Sequence, residues 1–387
     1  MTTLKQGIAV RLGIVLVVAA SAIAFSWATP ARAEVVSWIS TGTSTAWYTA
    51  ANWSPNTSEV GGPDPTWATG DIAQFNNTGS ATVAGINMDT ASLSIGAIEV
   101  GAPRIRALTI GNSSTTVGTL TLNGATVNGV PNTILRNDSS TDGLGGGAGF
   151  NLNLQNNSTG TGKTMNIVVP NANSVIAVDS VTAGNIVISS NISGDGGLKI
   201  TRVAGGTGQV QLTGMNDYLG DTTIDSARLR AGGNGIPNGA GRGNVILQGT
   251  VTSSPVQPLF GISGNETING LSGVGFVDND TSGPLTLTIG DGNDGGATST
   301  FSGTIYNTSG NPAGTLGITK MGTGVLTLSG NNSYVGATTV NGGTLLVNGT
   351  HTGLLGAPQV AAPVAAYTVA SEATLGGTGR ISANVIV

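Results

Sequence analysis

The chain contains no cysteine and one histidine, and only 9% of its 387 residues are charged, where about 25% is usual. Without cysteine there is no disulfide framework, so stability has to come from strand pairing and apolar burial. A lone histidine excludes a histidine-based metal cluster. Aromatic residues make up 4% of the chain, and no tryptophan occurs after Trp67. No stretch shows the 3.6-residue apolar period, and the Glu, Lys and Gln that populate helix surfaces are scarce, which excludes a helical bundle.

Glycine, by contrast, is abundant at 63 residues, and it suits short strands joined by tight turns, where the backbone often needs positive φ. The remainder is largely Thr, Ser, Asn, Val, Leu and Ile, a mixture of strand formers and turn formers. An all-β chain follows. Its apolar fraction of 39% is enough to bury a core, which separates it from charged disordered chains.

The N-terminus has the form of a secretory signal. Lys5 and Arg11 supply the positive start, Leu12 to Phe25 the apolar stretch, and Ala31-Arg32-Ala33 the small-x-small cleavage pattern. That run is shorter than the ~20 residues a membrane-spanning helix needs. We therefore expect residues 1–33 to be removed, leaving 11 basic and 19 acidic residues and a net charge near −8. Such a charge disfavours nucleic acid as a partner. Residues 34–80 then hold Trp38, Trp47, Trp53 and Trp67 with Tyr48 and Phe75. Bulky side chains of this kind can close the apolar end of a solenoid; the alternative is an aromatic face on which sugar rings stack.

From residue 81 to 387 short strands recur with an apolar residue at every second position. Leu120 and Leu122, Leu152 and Leu154, Ile186 and Ile188, and Leu326 and Leu328 are each expected on one inward face. This recurrence predicts a parallel β-solenoid with an aromatic-rich N-terminal cap, of about 12 to 15 coils at roughly 20 to 25 residues each. An array of β-sandwiches is the alternative. A longer repeat is also present. Residues 324–349 align without a gap on residues 208–233, pairing Leu328 with Leu212, Gly330 with Gly214, Asn332 with Asn216, Tyr334 with Tyr218, Gly336 with Gly220, and Thr338 and Thr339 with Thr222 and Thr223.

Residues 315–349 carry Lys320, Gly322 and Gly324, the strand Leu326-Thr327-Leu328 ending at Gly330, then Asn332, Tyr334, Gly336, Thr338, Thr339, Gly343 and Leu345. In these residues the chain closely resembles the autotransporter-associated β-strand repeat, also called the passenger-associated transport repeat. Residues 199–233 resemble a degenerate second copy, with Ala227 and Arg228 in place of Gly343 and Thr344. The resemblance implies a right-handed parallel β-helix passenger, secreted or displayed at the surface of a Gram-negative-type bacterium and associated with its outer membrane. It carries over no catalytic residues, because the repeat is a structural unit. Such passengers often continue into a membrane β-barrel, whereas this chain stops at Val387 in what reads as mid-solenoid, an edge expected to invite self-association.

Candidate chemistry is sparse. Asp221, Asp225, Arg228 and Arg230 form the best local group, but Arg228 and Arg230 are two apart on an expected strand and simply face the same way; Arg104 and Arg106 repeat that spacing. Asp291-Gly292-Asn293-Asp294-Gly295-Gly296 has the composition of a calcium-binding β-roll turn, yet such sites need tandem copies, so it reads as an Asx-rich turn, as does Asp278-Asn279-Asp280. His351, after Asn348-Gly349, is expected in a turn. We assign no catalytic, cofactor-binding or metal-binding residue. The expected role is an exported structural or adhesive passenger that meets surface glycans or other cells. A carbohydrate-binding or polysaccharide-degrading β-helix is the alternative, which Asp, Lys and Arg converging on a cleft from adjacent coils would favour. The signal reading makes one direct prediction: mass spectrometry of the exported protein finds Glu34 at the N-terminus, and retention of residues 1–33 overturns it.

Overall fold

A computed structural model describes residues 34–39, 47, 52–54, 67–75, 85–88, 92–101, 107–112, 118–138, 150–155, 165–179, 184–202, 206–239, 242–249, 258–290, 298–307, 314–352 and 366–387. Residues 1–33, Tyr48, Arg104, Arg106 and the Asp291–Gly296 loop lie outside them. The described residues contain strands and no α-helix.

Alternation of apolar and polar residues gives each short strand one side to bury. Because the chain pairs each strand with its counterpart a coil later, these sides stack. The longest ladder starts at Val35–Trp38 and passes through Ile72–Phe75, Ala97–Gly101, Val130–Asp138 and Ser174–Val178. It continues through successive coils to Thr374–Gly376, with neighbouring rungs parallel. A second ladder runs from Gly85–Met88 to Thr304–Asn307. The third is in two parts, a four-stranded sheet ending at Asn191–Ser193 and a six-stranded one beginning at Glu266–Ile268. The chain visits the ladders in turn, coil after coil, as a parallel β-solenoid does. The sandwich alternative is set aside, since its sheets are antiparallel.

The inward register is continuous. On the first ladder Ile98, Leu135, Ile176, Ile200, Ile224 and Leu247 lie over one another in successive rungs, and all are fully buried. The column then crosses Gly273, Phe301, Leu328 and Val347. Gly273 has φ of +92° and leaves no room for a side chain, since a Cβ there would lie 1.9 Å from the Leu247 carbonyl oxygen. Leu120, Leu122, Leu152, Leu154, Ile186, Ile188, Leu326 and Leu328 are all buried, as their alternation predicted.

Three features differ from the sequence expectation or extend it. From Ala97–Gly101 to Thr374–Gly376 the first ladder has eleven rungs, fewer than 12 to 15. The early coils are long: Leu135 pairs with Ile98 and with Ile176, whereas Ile176, Ile200 and Ile224 follow at intervals of 24. Second, Ala125–Val127 turns back antiparallel on Val130–Asp138 through Asn128 and Gly129, both at positive φ. That is the Asn-Gly hairpin turn, and Ala125 and Val127 form a small apolar cluster with Ile72 and Ala97. Third, Trp38, Trp47, Trp53 and Phe75 are fully buried in mutual ring contacts 4.9 to 6.1 Å apart. Rings enclosed in this way are closed to a stacking sugar, and Trp67, which is half-buried, packs on Trp53 at 4.9 Å and Trp47 at 5.6 Å.

Stacking makes inward and outward positions on one strand unequal. Leu326→Asp, which buries a charge against Leu345 with no partner, is expected to cost several kcal/mol and to melt the surrounding coils. Thr327→Asp, on the outward side, is expected to cost less than about 1 kcal/mol. Thermal unfolding of the two variants checks the facing, and equal losses would refute it.

Candidate functional site

The two repeat copies place the same side chains in the same bonds. Tyr218 and Tyr334 are fully buried, and each phenol meets the threonine four residues on, Thr222 at 2.5 Å and Thr338 at 2.8 Å. Burial raises both phenol pKa values. Asn216 and Asn332 each accept, through Oδ1, a backbone N–H of the preceding coil, from Ile192 at 2.8 Å and Ile305 at 2.9 Å. Gly220 and Gly336 press against the coil before them: a Cβ on Gly336 would lie 2.4 Å from the Leu316 carbonyl oxygen, and one on Gly220 2.5 Å from the Gly197 nitrogen. Asparagine, tyrosine and glycine of the repeat thus fasten one coil to the last.

Lys320 belongs to the same scaffold. It is buried, and its ammonium donates to the Met321, Gly322 and Gly342 carbonyls, a cage that offsets the cost of desolvating the charge. Burial lowers its pKa. His351 lies in the strand Thr350–His351 and is buried, not in an open turn. Its ring stacks on Tyr334 at 3.9 Å, Nε2 donates to the Tyr334 carbonyl at 2.7 Å and Nδ1 accepts from the Tyr367 hydroxyl at 2.6 Å. This arrangement uses the neutral ring, and burial lowers its pKa.

Several of the charged residues form ion pairs. Arg228 and Arg230 do face the same way, and Asp280 from a later coil takes both, at 2.7 and 3.0 Å. Asp225 pairs with Lys199 at 2.8 Å, and Asp221 accepts from the Asn244 amide at 2.9 Å. The structure therefore does not join Asp221 and Asp225 to the two arginines. Asp278-Asn279-Asp280 is not a cation turn either, because Asn279 points inward and is buried while Asp280 is an arginine partner. A second group, beneath the hairpin, sets Arg136 against Asp179 at 3.1 Å and Asp138 at 3.2 Å. Among the described residues no three His, Cys, Asp or Glu side chains converge as metal ligands do.

A cavity of about 400 Å³ opens on the third face, lined by Asn166, Asn191, Ser193, Met215, Asn216, Asp217, Asn234, Asn238 and Arg242. It occupies the interval between the two parts of the third ladder. The first repeat copy supplies its floor: Asn216 donates to the Gly235 carbonyl at 2.7 Å, and the Met215 N–H donates to Asn191 Oδ1 at 3.1 Å. One wall is the segment 234–238, held from below by Glu266, whose carboxyl accepts from the Ile236 N–H at 3.1 Å. Glu266 is buried, and that burial pushes its pKa up to about 7. Neither the cavity nor Glu266 was apparent from sequence, because their residues meet only when coils are stacked.

Comparison with known proteins finds the repeat in both segments. A family model for the passenger-associated-transport-repeat matches residues 203–231 and 318–347, so the chain carries two such repeats. Over 133 residues the chain is 34% identical to the "Adhesin BmaC autotransporter" of Brucella suis biovar 1 (strain 1330). The aligned part is 34% of this chain and 3% of that adhesin, so only a small fraction of the relative's length is spanned. No solved structure matches.

The raised Glu266 pKa links stability to pH. The native state keeps this carboxyl protonated to higher pH than the unfolded chain does, so its contribution is complete below pH 4.5, the ordinary value, and is lost as pH rises toward about 7. Glu266→Gln keeps an oxygen acceptor for Ile236 and removes the titration. We expect it to be more stable than wild type at pH 8, by on the order of 2 kcal/mol, and equal to it at pH 4. Denaturant melts at the two pH values test this; a wild-type advantage at pH 8 would contradict it.

Proposed function

We propose that this chain is a surface passenger of a Gram-negative-type bacterium, exported after removal of residues 1–33, and that its work is adhesion rather than catalysis. The observation that carries the reading is the pair of passenger-associated transport repeats built into one continuous parallel ladder. A solenoid of this kind folds from local, coil-to-coil contacts, so it can grow rung by rung as the chain emerges on the far side of a membrane. It needs no disulfide chemistry and no cofactor. The outward positions are mostly Thr, Ser and Asn, which offer hydrogen-bond donors and acceptors along every face. The adhesin relative supports the same assignment.

The alternative, a polysaccharide-degrading β-helix, gains little from the charged groups. Asp280 is neutralised by two arginines and Asp225 by a lysine, and the cavity lies away from them, on another ladder. The cavity does bring Asp217 and Arg242 together from adjacent coils, but glycoside hydrolysis needs two carboxyls flanking the bond, and Asp217 is the single carboxylate in its lining. Glycan recognition, without cleavage, remains part of the adhesive reading.

Two measurements test it on cells producing the protein with its own leader. Antibody raised against residues 34–387 is expected to label intact cells, with the epitope removed by added protease. Beads coated with the purified mature chain are expected to adhere to mammalian cell monolayers above an albumin-coated control. Protein confined to the cytoplasm, or beads no stickier than the control, would overturn the assignment.

A further inference from the structure

We propose that the third-face cavity is a binding site for an uncharged glycan, of about disaccharide size, and that it is the adhesive contact of the first repeat. The proposal rests on the adhesive reading above and adds to it a place and a ligand class.

The cavity exists because the two repeat copies part company at this point. In the second copy the segment after Gly330 forms the strand Asn331–Asn332, which is paired by Thr350–His351 of the following coil. In the first copy Met215 stands where Asn331 does, and the following coil loops through residues 232–239 instead of laying down a strand. The two copies stand on different faces, Val210–Leu212 in the second ladder and the aligned Val325–Leu328 in the first, so it is the first copy's corner that falls on the third ladder, which is interrupted there, and the interval is the cavity. Its walls are nonetheless fixed. Asn216 is bonded to coils on both sides, the Asn238 amide donates to Asn234 Oδ1 at 3.2 Å, and Arg242 donates to the Asp217 carbonyl at 3.2 Å. Ordering these groups beforehand lowers the entropy that binding would otherwise cost.

The lining selects the ligand. Asn166, Asn191, Asn234 and Asn238 bring carboxamides from three coils to one opening, and each carboxamide can donate and accept at once. That is the complement of adjacent sugar hydroxyls, which also do both. Among the described residues no hydrogen bond occupies the Asn166 amide or the Asp217 carboxylate. Arg242 and Asp217 supply one charge of each sign, so the opening has no net preference for an anion or a cation. An apolar platform is present as well. Met215 is 66% exposed, and among the described residues of the middle coils it and Leu219 are the large hydrophobic side chains exposed to solvent. A polarizable thioether of this kind suits the C–H face of a pyranose ring. The volume of about 400 Å³ falls within the range of small-molecule sites. The buried tryptophans cannot serve in its place.

Lactose and N,N′-diacetylchitobiose serve as neutral probes, and a sulfated heparin disaccharide as the charged one, each titrated into the mature chain with saturation-transfer NMR. We expect at least one neutral probe to bind in the millimolar range, with its ring protons saturated, and the sulfated probe to bind more weakly. Met215→Asp with Asn238→Ala alters two side chains at the opening, and is expected to weaken neutral binding by about tenfold or more while thermal stability stays at the wild-type level. Asn166→Ala alone provides a second variant on a different strand, should the first lose stability. Thr327→Asp, outside the cavity, is expected to bind as wild type does. Unchanged affinity in folded Met215→Asp/Asn238→Ala and Asn166→Ala, preference for the sulfated probe, or no neutral binding at all would each overturn the proposal. If coated beads still adhere in that event, the failure is that of the cavity alone; if they do not, the adhesive reading fails with it.

Discussion

Every coil of this protein has to lie within hydrogen-bonding distance of the coil before it, about 4.8 Å away, along three successive directions. That spacing governs the sequence. An inward side chain at one rung always rests on the inward side chain of the next, which is why Ile, Leu and Val recur in columns such as Ile176, Ile200 and Ile224. Where two segments of bare backbone come closer than side chains permit, only glycine fits. Gly336 against Leu316 and Gly317 is such a contact, and the matching glycine of the other copy, Gly220, makes the same approach to Gly197. The high glycine content is the chemical form of this spacing, and the low charge is another consequence, since a column of like charges at such intervals would repel itself.

Polar residues inside the solenoid serve the same constraint at the bends, where the backbone leaves one ladder for the next and its amides lose their regular partners. A buried amide without a partner costs more than a hydrogen bond returns, so the bends require side chains that both donate and accept. Asn216, Asn332 and Asn307 bond the neighbouring coil's backbone at these places, and the Tyr–Thr pairs close the interior behind them. Lys320 is the extreme case, a charged group enclosed by carbonyls. The repeat is therefore best understood as a corner piece: its invariant features within this chain are the groups that turn the backbone without stranding it.

Much of this was legible beforehand because alternation has a period of two and needs no knowledge of partners. The inward residues, the all-β class and the two repeat copies were read from residues adjacent in sequence. The coil number was overestimated because long excursions between rungs leave no periodic trace. The Asn128-Gly129 hairpin did carry a signal, Asn-Gly between alternating apolar residues, and could have been found. Other features carried none. Asp280 meets Arg228 from 52 residues away, Glu266 meets Ile236 from 30, and His351 reads as a turn residue until Tyr334 and Tyr367 are brought onto it by stacking.

A perfectly regular solenoid would have difficulty recognising anything. Its faces present the same shallow rows of hydroxyl and amide groups at each rung, with no concavity to exclude water or to fix a ligand's orientation, and shallow polar contacts exchange with solvent at little net gain. Recognition needs a place where the regularity is interrupted but the edges of the interruption are still held by the lattice around it. The degenerate copy meets both conditions. It keeps Asn216, Tyr218 and Gly220, which maintain the corner, and it gives up the strand pairing that the aligned Asn331–Asn332 makes with the next coil, leaving Met215 and the neighbouring asparagines around an opening. On this view the departure of residues 199–233 from the stronger repeat is no mere decay of a structural unit. The copy that is most regular builds the scaffold, and the copy that is least regular makes the surface on which the scaffold can act.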